Sequence, residues 1–296
     1  MIDNNGNKIL LGDDAPYDLD FALKEIYFFA KQMRNTQSED TAYSIAKMID
    51  TYLDKGGEHA LVYDLFYEIE AYAKGSLNDS FIWTLVYIRR AFSDDKKSKK
   101  EYCEAFEHRL AAAKYFDQIC EINPSFHNKR VRVWELMITS DIALSSKKRD
   151  MYGSEIYRAP LKRAIELLSE LEKLPEAEGN EAFLSTAKSV YHTEAVFMEK
   201  NKIVGKEWLD CLKKLIYYTR LMYCMQPVGT TYLDDLSIFY SVALYCDGYA
   251  TSEVLAELNE LCRISEERLK EYSYMKKSVE KLIKVRDRCA KMLNLD

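Results

Sequence analysis

Apolar residues recur three and four positions apart along most of this chain, with charged residues between them. This spacing is typical of amphipathic α-helices, because residues at i, i+3, i+4 and i+7 lie on one helix face. From about residue 18 onward it predicts one helix after another. The predicted helices span about 18–34, 40–53, 59–74, 80–92, 101–124, 128–146, 159–173, 181–200, 205–225, 231–247, 251–272 and 274–293.

Capping and breaking residues mark where these helices begin and end. Thr231 followed by Asp234 resembles a capping box, and Thr251 is expected to begin the next helix. Pro160 is placed in the first turn of its helix, where its missing N–H is not needed. The charged run over residues 93–100 is predicted to be a solvated loop or a helix entry.

The apolar pattern in the second half of the chain predicts two kinds of helix surface. The helices at 128–146 and 181–200 are apolar on more than one side, so each is expected to pack between neighbours. The helix at 274–293 carries a single apolar stripe instead. That stripe is formed by Met275, Val279, Leu282, Val285, Cys289 and Met292. A one-sided helix is typical of the cap of a helical array, and the alternative is a helix that dimerises or binds a partner.

The segment from Ala112 to Pro124 carries the most specific pattern in the chain. Ala112, Phe116 and Ile119 are four and three residues apart and share a helix face, which ends at Pro124. This pattern resembles the second helix of a tetratricopeptide repeat, and the resemblance extends over residues 105–146. It implies a superhelical scaffold of stacked helical hairpins with a concave groove.

The predicted fold class is therefore all-α, as a tetratricopeptide-like α-solenoid, with an irregular compact helical bundle as the alternative. The first helices of the predicted hairpins begin near residues 128, 181 and 231. Their spacing of about 50 residues exceeds the 34 of an ideal tetratricopeptide repeat and fits longer helices. We predict an extended lead-in over 1–17 and one all-helical domain over 18–296, with sub-blocks 18–95 and 101–296 as a further option.

The charge of the chain argues against one class of partner. The formal net charge is −6 and the sequence pI is about 5.5. Because nucleic-acid binders usually present a basic face, we expect no nucleic-acid partner. Residues 274–296 are an exception, with seven basic residues against three acidic ones. A homo-oligomer formed through this C-terminal helix is one option that the sequence leaves open.

Cysteine usage and hydropathy indicate the expected compartment. The 7 cysteines are scattered and form no CxxC pair, a pattern typical of reduced thiols in a cytosolic protein. The longest nearly apolar run, residues 238–246, is too short to cross a bilayer. The first residues also lack a basic segment followed by an apolar run. We therefore expect a cytoplasmic protein without a membrane partner.

Motifs for catalysis or metal binding are missing from the sequence. It contains no HExxH, no GxSxG elbow and no glycine-rich phosphate loop, so we predict no enzyme activity, no cofactor and no metal. Glu104 and His108 lie four residues apart and are predicted to form a surface pair. Lys188 and His192 have the same spacing, on a helix expected to line the groove.

The candidate binding residues come from the three predicted first helices. They are Arg130, Trp134, Lys188, His192, Tyr232 and Asp235. Arg130 and Lys188 carry the charge needed to hold a carboxylate or another acidic group of a peptide. We predict a non-enzymatic helical-repeat scaffold that binds a peptide or protein segment in a concave groove. A ligand-sensing regulatory protein with an enclosed pocket is the alternative, followed by an enzyme on a helical bundle.

Overall fold

The chain is all-α in a computed structural model that describes residues 17–146, 148–226 and 228–294. Within these ranges there are thirteen α-helices and four short 3-10 turns, with no β-strand. The predicted lead-in over 1–17 lies outside the described residues except for Tyr17. The backbone forms two compact units, with the boundary between Lys99 and Lys100.

The helices follow one another with short connections. The first unit contains α1 (Leu19–Thr36), α2 (Glu39–Asp54), α3 (Tyr63–Glu70) and α4 (Asp79–Ser98). The second unit contains α5 (Tyr102–Ile122), α6 (Phe126–Ser145), α7 (Arg149–Tyr152), α8 (Glu155–Leu171), α9 (Glu181–Lys200), α10 (Lys206–Met225), α11 (Thr230–Ala243), α12 (Ser252–Leu269) and α13 (Lys276–Met292).

The charged run at 93–100 forms the end of α4, so its prediction as a loop or a helix entry is wrong. Ser93 is buried, and the helix continues as far as Ser98. Lys99 Nζ lies 2.8 Å from Asp95 Oδ2, which joins residues four apart. Lys96 and Lys97 lie in the last turn, where positive charge complements the helix dipole. Acidic residues followed by basic ones therefore extend this helix instead of ending it.

The predicted helix over 59–74 is divided into three parts. A 3-10 turn spans His59–Leu61, α3 follows, and a second 3-10 turn spans Ala71–Ala73. Val62 has φ −117° and ψ 1°, outside the α-helical region, and this residue separates the first turn from α3. The pattern predicted helical character correctly but not its interruption.

Two of the predicted helix starts are corrected by the structure and one is confirmed. Thr251 caps α12, and its Oγ1 accepts a hydrogen bond from Val254 N at 3.3 Å. The capping box at Thr231 is wrong, because α11 starts one residue earlier, after Gly229. Pro160 lies inside α8 rather than in its first turn, since that helix already begins at Glu155.

The helices of the second unit pack in two rows. The first row is α6, α9, α11 and α13, and the second row is α5, α8, α10 and α12. One contact joins each pair of successive helices in the second row. The rings of Phe106 on α5 and Tyr157 on α8 lie 4.7 Å apart, and Tyr218 Oη on α10 donates a hydrogen bond at 2.6 Å to Glu172, which directly follows α8. The hydroxyls of Tyr223 on α10 and Ser265 on α12 lie 2.8 Å apart. The rows are joined by packing of α5 on α6, α6 on α8, α9 on α10, α10 on α11 and α12 on α13.

The last helix lies beside α11 in the first row and also packs against α12. Its predicted apolar stripe is confirmed for Met275, Val279, Leu282, Val285 and Cys289, which are all buried. Met292, the last member of the predicted stripe, is exposed. Its role as a cap remains a prediction.

Substitution of Gly57 is expected to destabilise the first unit. An added Cβ would fall against the ring of Tyr52, which is itself buried and accepts a hydrogen bond at its hydroxyl from Glu58 N at 3.1 Å. Because that ring has no room to move, Gly57→Ala is expected to cost about 1–3 kcal/mol of unfolding free energy. Urea titration followed by circular dichroism measures this loss.

The matching double-mutant cycle identifies the cause of that loss. In a Tyr52→Ala background the ring is gone, so Gly57→Ala should add less than about 0.5 kcal/mol. An equal cost in both backgrounds would show that the ring is not the obstacle.

Candidate functional site

Helix α9 presents a narrow solvent-facing stripe in the middle of the first row. The stripe consists of Ser185, Ser189, His192 and Val196, which are exposed or half-buried and lie four, three and four residues apart. Asn180 Oδ1 accepts a hydrogen bond from Phe183 N at 3.0 Å and fixes the first turn of this helix. On one side of the stripe α9 packs against α6, and on the other side it contacts α11.

The side of α9 that meets α11 brings three predicted site residues together. Lys188 Nζ lies 2.6 Å from Asp235 Oδ2, and both side chains are partly buried. The same ammonium group lies 5.0 Å from the centre of the Tyr232 ring, within the range of a cation–π interaction. The positive charge of Lys188 is therefore compensated inside the protein.

His192 is the next residue along the same contact. Its ring is exposed, and its centre lies 6.2 Å from the centre of the Phe239 ring on α11. His192 follows Lys188 by one turn and Phe239 follows Asp235 by one turn, so the two pairs run along the two helices in register. His192 therefore remains exposed beside this contact.

The side of α9 that meets α6 holds Arg130. Arg130 Nη1 donates a hydrogen bond to Thr186 Oγ1 at 3.1 Å, and the Arg130 side chain is half-buried. Among the described residues, no carboxylate forms an ion pair with it. Burial lowers the pKa of the Arg130 guanidinium below its usual value, although it stays charged. Arg130 thus carries a partly desolvated positive charge that the protein does not neutralise.

Trp134 lies one turn after Arg130 on α6. It is half-buried and packs against the main core of the second unit. The six predicted residues therefore lie in or beside the α9 stripe. Arg130 and Trp134 lie on its α6 side, Lys188, Tyr232 and Asp235 lie on its α11 side, and His192 belongs to the stripe itself.

Buried ion pairs fix the helices beneath this surface. Arg158 on α8 donates hydrogen bonds to both carboxylate oxygens of Glu194 on α9, the longer at 3.4 Å. Burial alone would lower the Arg158 pKa, but the hydrogen bond and the negative charge of Glu194 outweigh it and raise that pKa. Arg109 and Glu135 form a second buried pair between α5 and α6, with Nε and Oε2 3.0 Å apart.

His108 does not occupy the predicted surface position. Its side chain is buried on α5, so the surface pair with Glu104 is a wrong prediction. The two residues were correctly predicted to lie on one helix, but α5 is buried on more than one side.

Sequence reasoning missed three hollows along the second row. The largest has a volume of about 710 Å³ and lies between α8 and α10, at the start of α9. A hollow of about 290 Å³ lies between α5, α6 and α8, and another of about 360 Å³ lies between α10 and α12. Their lining residues are distant in sequence, and the concentration of tyrosines around 217–249 pointed only to the largest hollow, which Tyr217 and Tyr218 line.

Two other kinds of feature are missing from the described parts of the chain. No group of three or more His, Cys, Asp or Glu side chains is placed to hold a metal ion there. None of the helices in those parts combines the length and apolar character needed to cross a membrane. Comparisons with protein-family models and with curated proteins found no match.

Proposed function

We propose that this chain is a non-enzymatic helical-repeat scaffold, tetratricopeptide-like in its stacking, that binds a peptide or protein segment along its first row. The proposed groove crosses α6, α9 and α11. The two-row packing of the second unit supports the repeat-like arrangement. So does the buried small–large–large face of Ala112, Phe116 and Ile119 on α5.

The uncompensated charge of Arg130 is the observation that carries the proposal. A half-buried guanidinium has lost part of its hydration, so an incoming carboxylate binds it more strongly than it would bind a fully solvated arginine. Arginine also presents a planar fork of donors, which suits a carboxylate. A peptide with an acidic side chain or a free C-terminus would supply that group.

The other predicted residues take different roles in this proposal. Trp134 provides an apolar and aromatic surface next to the anchor, a residue type that is enriched at binding hot spots. His192 offers a hydrogen bond at the centre of the stripe. Lys188, Tyr232 and Asp235 bind each other, so they position α9 against α11 instead of meeting the partner's charge.

The proposal also covers the compartment of the protein and the class of its partners. The 7 cysteines are all free, which supports a reducing, cytoplasmic environment. The net charge of −6 supports protein rather than nucleic-acid partners. A homo-oligomer formed through α13 is an additional option.

A selection from a random peptide library displayed on phage tests this function on the full chain. Wild-type protein should enrich peptides that contain an acidic group, and Arg130→Leu should reduce their affinity by about tenfold or more. Arg163→Leu is the matched control, because Arg163 is an exposed arginine on α8 that pairs with Glu166 at 2.7 Å. That variant should bind like wild type.

Two outcomes would contradict the proposal. Enriched peptides that bind Arg130→Leu and wild type equally would place the interface elsewhere. If no peptide is enriched, while a small molecule stabilises the chain against heat, the alternative of a ligand-sensing regulatory protein is favoured.

A further inference from the structure

Helix α1 presents a line of aromatic rings to solvent. Its buried side packs against α2, so the opposite side faces outward. Phe21 and Phe28 lie on that outward side, seven residues or about two turns apart, and are 42% and 60% exposed. Tyr17 lies four residues before Phe21 and is also 42% exposed. We name these three side chains the α1 outer face.

The α1 outer face differs from an ordinary protein surface. A single exposed apolar residue is common, whereas several large rings on one line mark a surface that binds another segment. The outermost helix of a helical array also normally carries a polar outer face. Phe28 makes an edge contact with the Phe29 ring, with centres 5.6 Å apart, and still leaves most of its own surface in water. These rings are therefore expected to have a cover.

The chain that leads into α1 carries an apolar run. Ile9, Leu10 and Leu11 are consecutive, with Lys8 before them and Gly12 after them. The run lies outside the described residues, and it ends six positions before Tyr17, where the description of the chain begins. It is thus the apolar run closest in sequence to the α1 outer face.

The connection is long enough for the run to reach the outer face. Six residues of extended chain span up to about 20 Å. Phe28 follows Tyr17 by eleven residues, which is about 16 Å along the helix axis. A segment that turns back beside α1 therefore brings Leu11 level with Phe28. Ile9 is two positions from Leu11, so both side chains lie on the same side of an extended segment.

Covalent attachment favours this segment over a separate molecule. A short connection holds the tethered group at an effective concentration of about 1 mM or more near its site. A second copy of the chain in dilute solution is present at a much lower concentration. An apolar segment of the same chain therefore covers the rings first, at little additional cost in translational freedom.

We propose that residues 9–11 dock on the α1 outer face of the same chain. Leu11 and Ile9 cover the Phe28 and Phe21 rings, and the docked segment removes this apolar line from the surface. The proposal concerns the first unit alone. It does not depend on the groove proposed across α6, α9 and α11.

Photo-crosslinking of the full chain tests this contact. Phe28 is replaced by p-benzoylphenylalanine, which the 60% exposure of the native ring makes room for. After irradiation, mass spectrometry of the digested monomer should show crosslinks to residues 8–14. The matched control places the same probe at Leu77, which is 82% exposed in the first unit but outside α1. That probe should give no crosslink to residues 8–14.

Substitutions in the run make the test specific. Ile9→Asp/Leu11→Asp should lower the crosslink yield from position 28 by about fivefold or more, because carboxylates would then have to be buried against aromatic rings. Asn5→Asp/Asn7→Asp is the matched control, since it adds the same charge at the same spacing outside the run. The control pair should keep the yield of the unsubstituted run. Circular dichroism selects folded proteins.

A hydrophobic dye gives a second reading without the probe. Fluorescence of anilinonaphthalene sulfonate should rise by about twofold or more in Ile9→Asp/Leu11→Asp, because the rings are uncovered. Addition of Phe28→Ser should remove most of that rise.

Three results would overturn the proposal. The first is no crosslink from position 28 to residues 8–14 in folded protein. The second is an equal crosslink yield for the two aspartate pairs. The third is a crosslink found only in covalent dimers, which would make a second copy of the chain the occupant of the α1 outer face.

Discussion

Replacing Arg158 with leucine is expected to destabilise the second unit by about 3–5 kcal/mol, because it leaves a buried carboxylate without its counter-ion. Glu194 is only 5% exposed, and both of its oxygens accept hydrogen bonds from Arg158. Leucine can fill part of the space but cannot satisfy those oxygens. The free energy of unfolding from a urea titration, followed by helical circular dichroism, measures the effect.

The double variant Arg158→Leu/Glu194→Leu separates charge from packing. Two apolar side chains leave no buried charge, so the double variant should be more stable than Arg158→Leu alone. Lys162→Leu is a control for loss of a cation on the same helix, because its pair with Glu155 lies at the surface and should contribute about 0–1 kcal/mol. If Arg158→Leu costs no more than this control, the α8–α9 pair is not a structural contact of the kind described.

Phe116→Ala is expected to cost about 3–5 kcal/mol of unfolding free energy, because it removes a ring from a fully buried site. Phe116 has 0% exposure, as do Ala112 and Ile119 on the same face of α5. The cavity would lie on the buried face of α5. Urea titration again gives the magnitude, and the lost packing should also speed hydrogen exchange in α5.

A smaller substitution at the same position provides the control. Phe116→Leu keeps most of the apolar volume, so it should cost clearly less than Phe116→Ala. Phe21→Ala on α1 is a second control, because Phe21 is 42% exposed and its removal leaves no closed cavity. Equal losses for Phe116→Ala and Phe21→Ala would contradict the buried position of Phe116.

The sequence predicted the all-α class and several helices closely. The range 181–200 predicted for α9 coincides with the observed helix, and the predicted end of α5 lies within two residues of Ile122. Hydrophobic periodicity is sufficient to predict such helices, because the apolar residues that they bury recur at helical spacing in their own sequence. It was less successful at 93–100, where the charged residues remain helical through local pairing.

The candidate site was only partly accessible to sequence reasoning. The pairing of Lys188 with Asp235 joins residues 47 positions apart and depends on how α9 and α11 are rotated about their axes. The sequence assigned both Arg130 and Lys188 to a partner's acidic group, but only the contacts show that Lys188 already has a carboxylate. The hollows of the second row were missed for the same reason, since they exist only between packed helices.

The measurement that tests the central claim most directly is a double-mutant cycle between Arg130 and the acidic group of a selected peptide. Affinities would be measured by isothermal titration for wild type and Arg130→Leu, each with the peptide and with its neutral amide counterpart. Direct contact predicts a coupling free energy of at least about 1.5 kcal/mol. A coupling near zero, with both changes acting independently, would show that Arg130 does not bind the partner's carboxylate and would contradict the proposed groove.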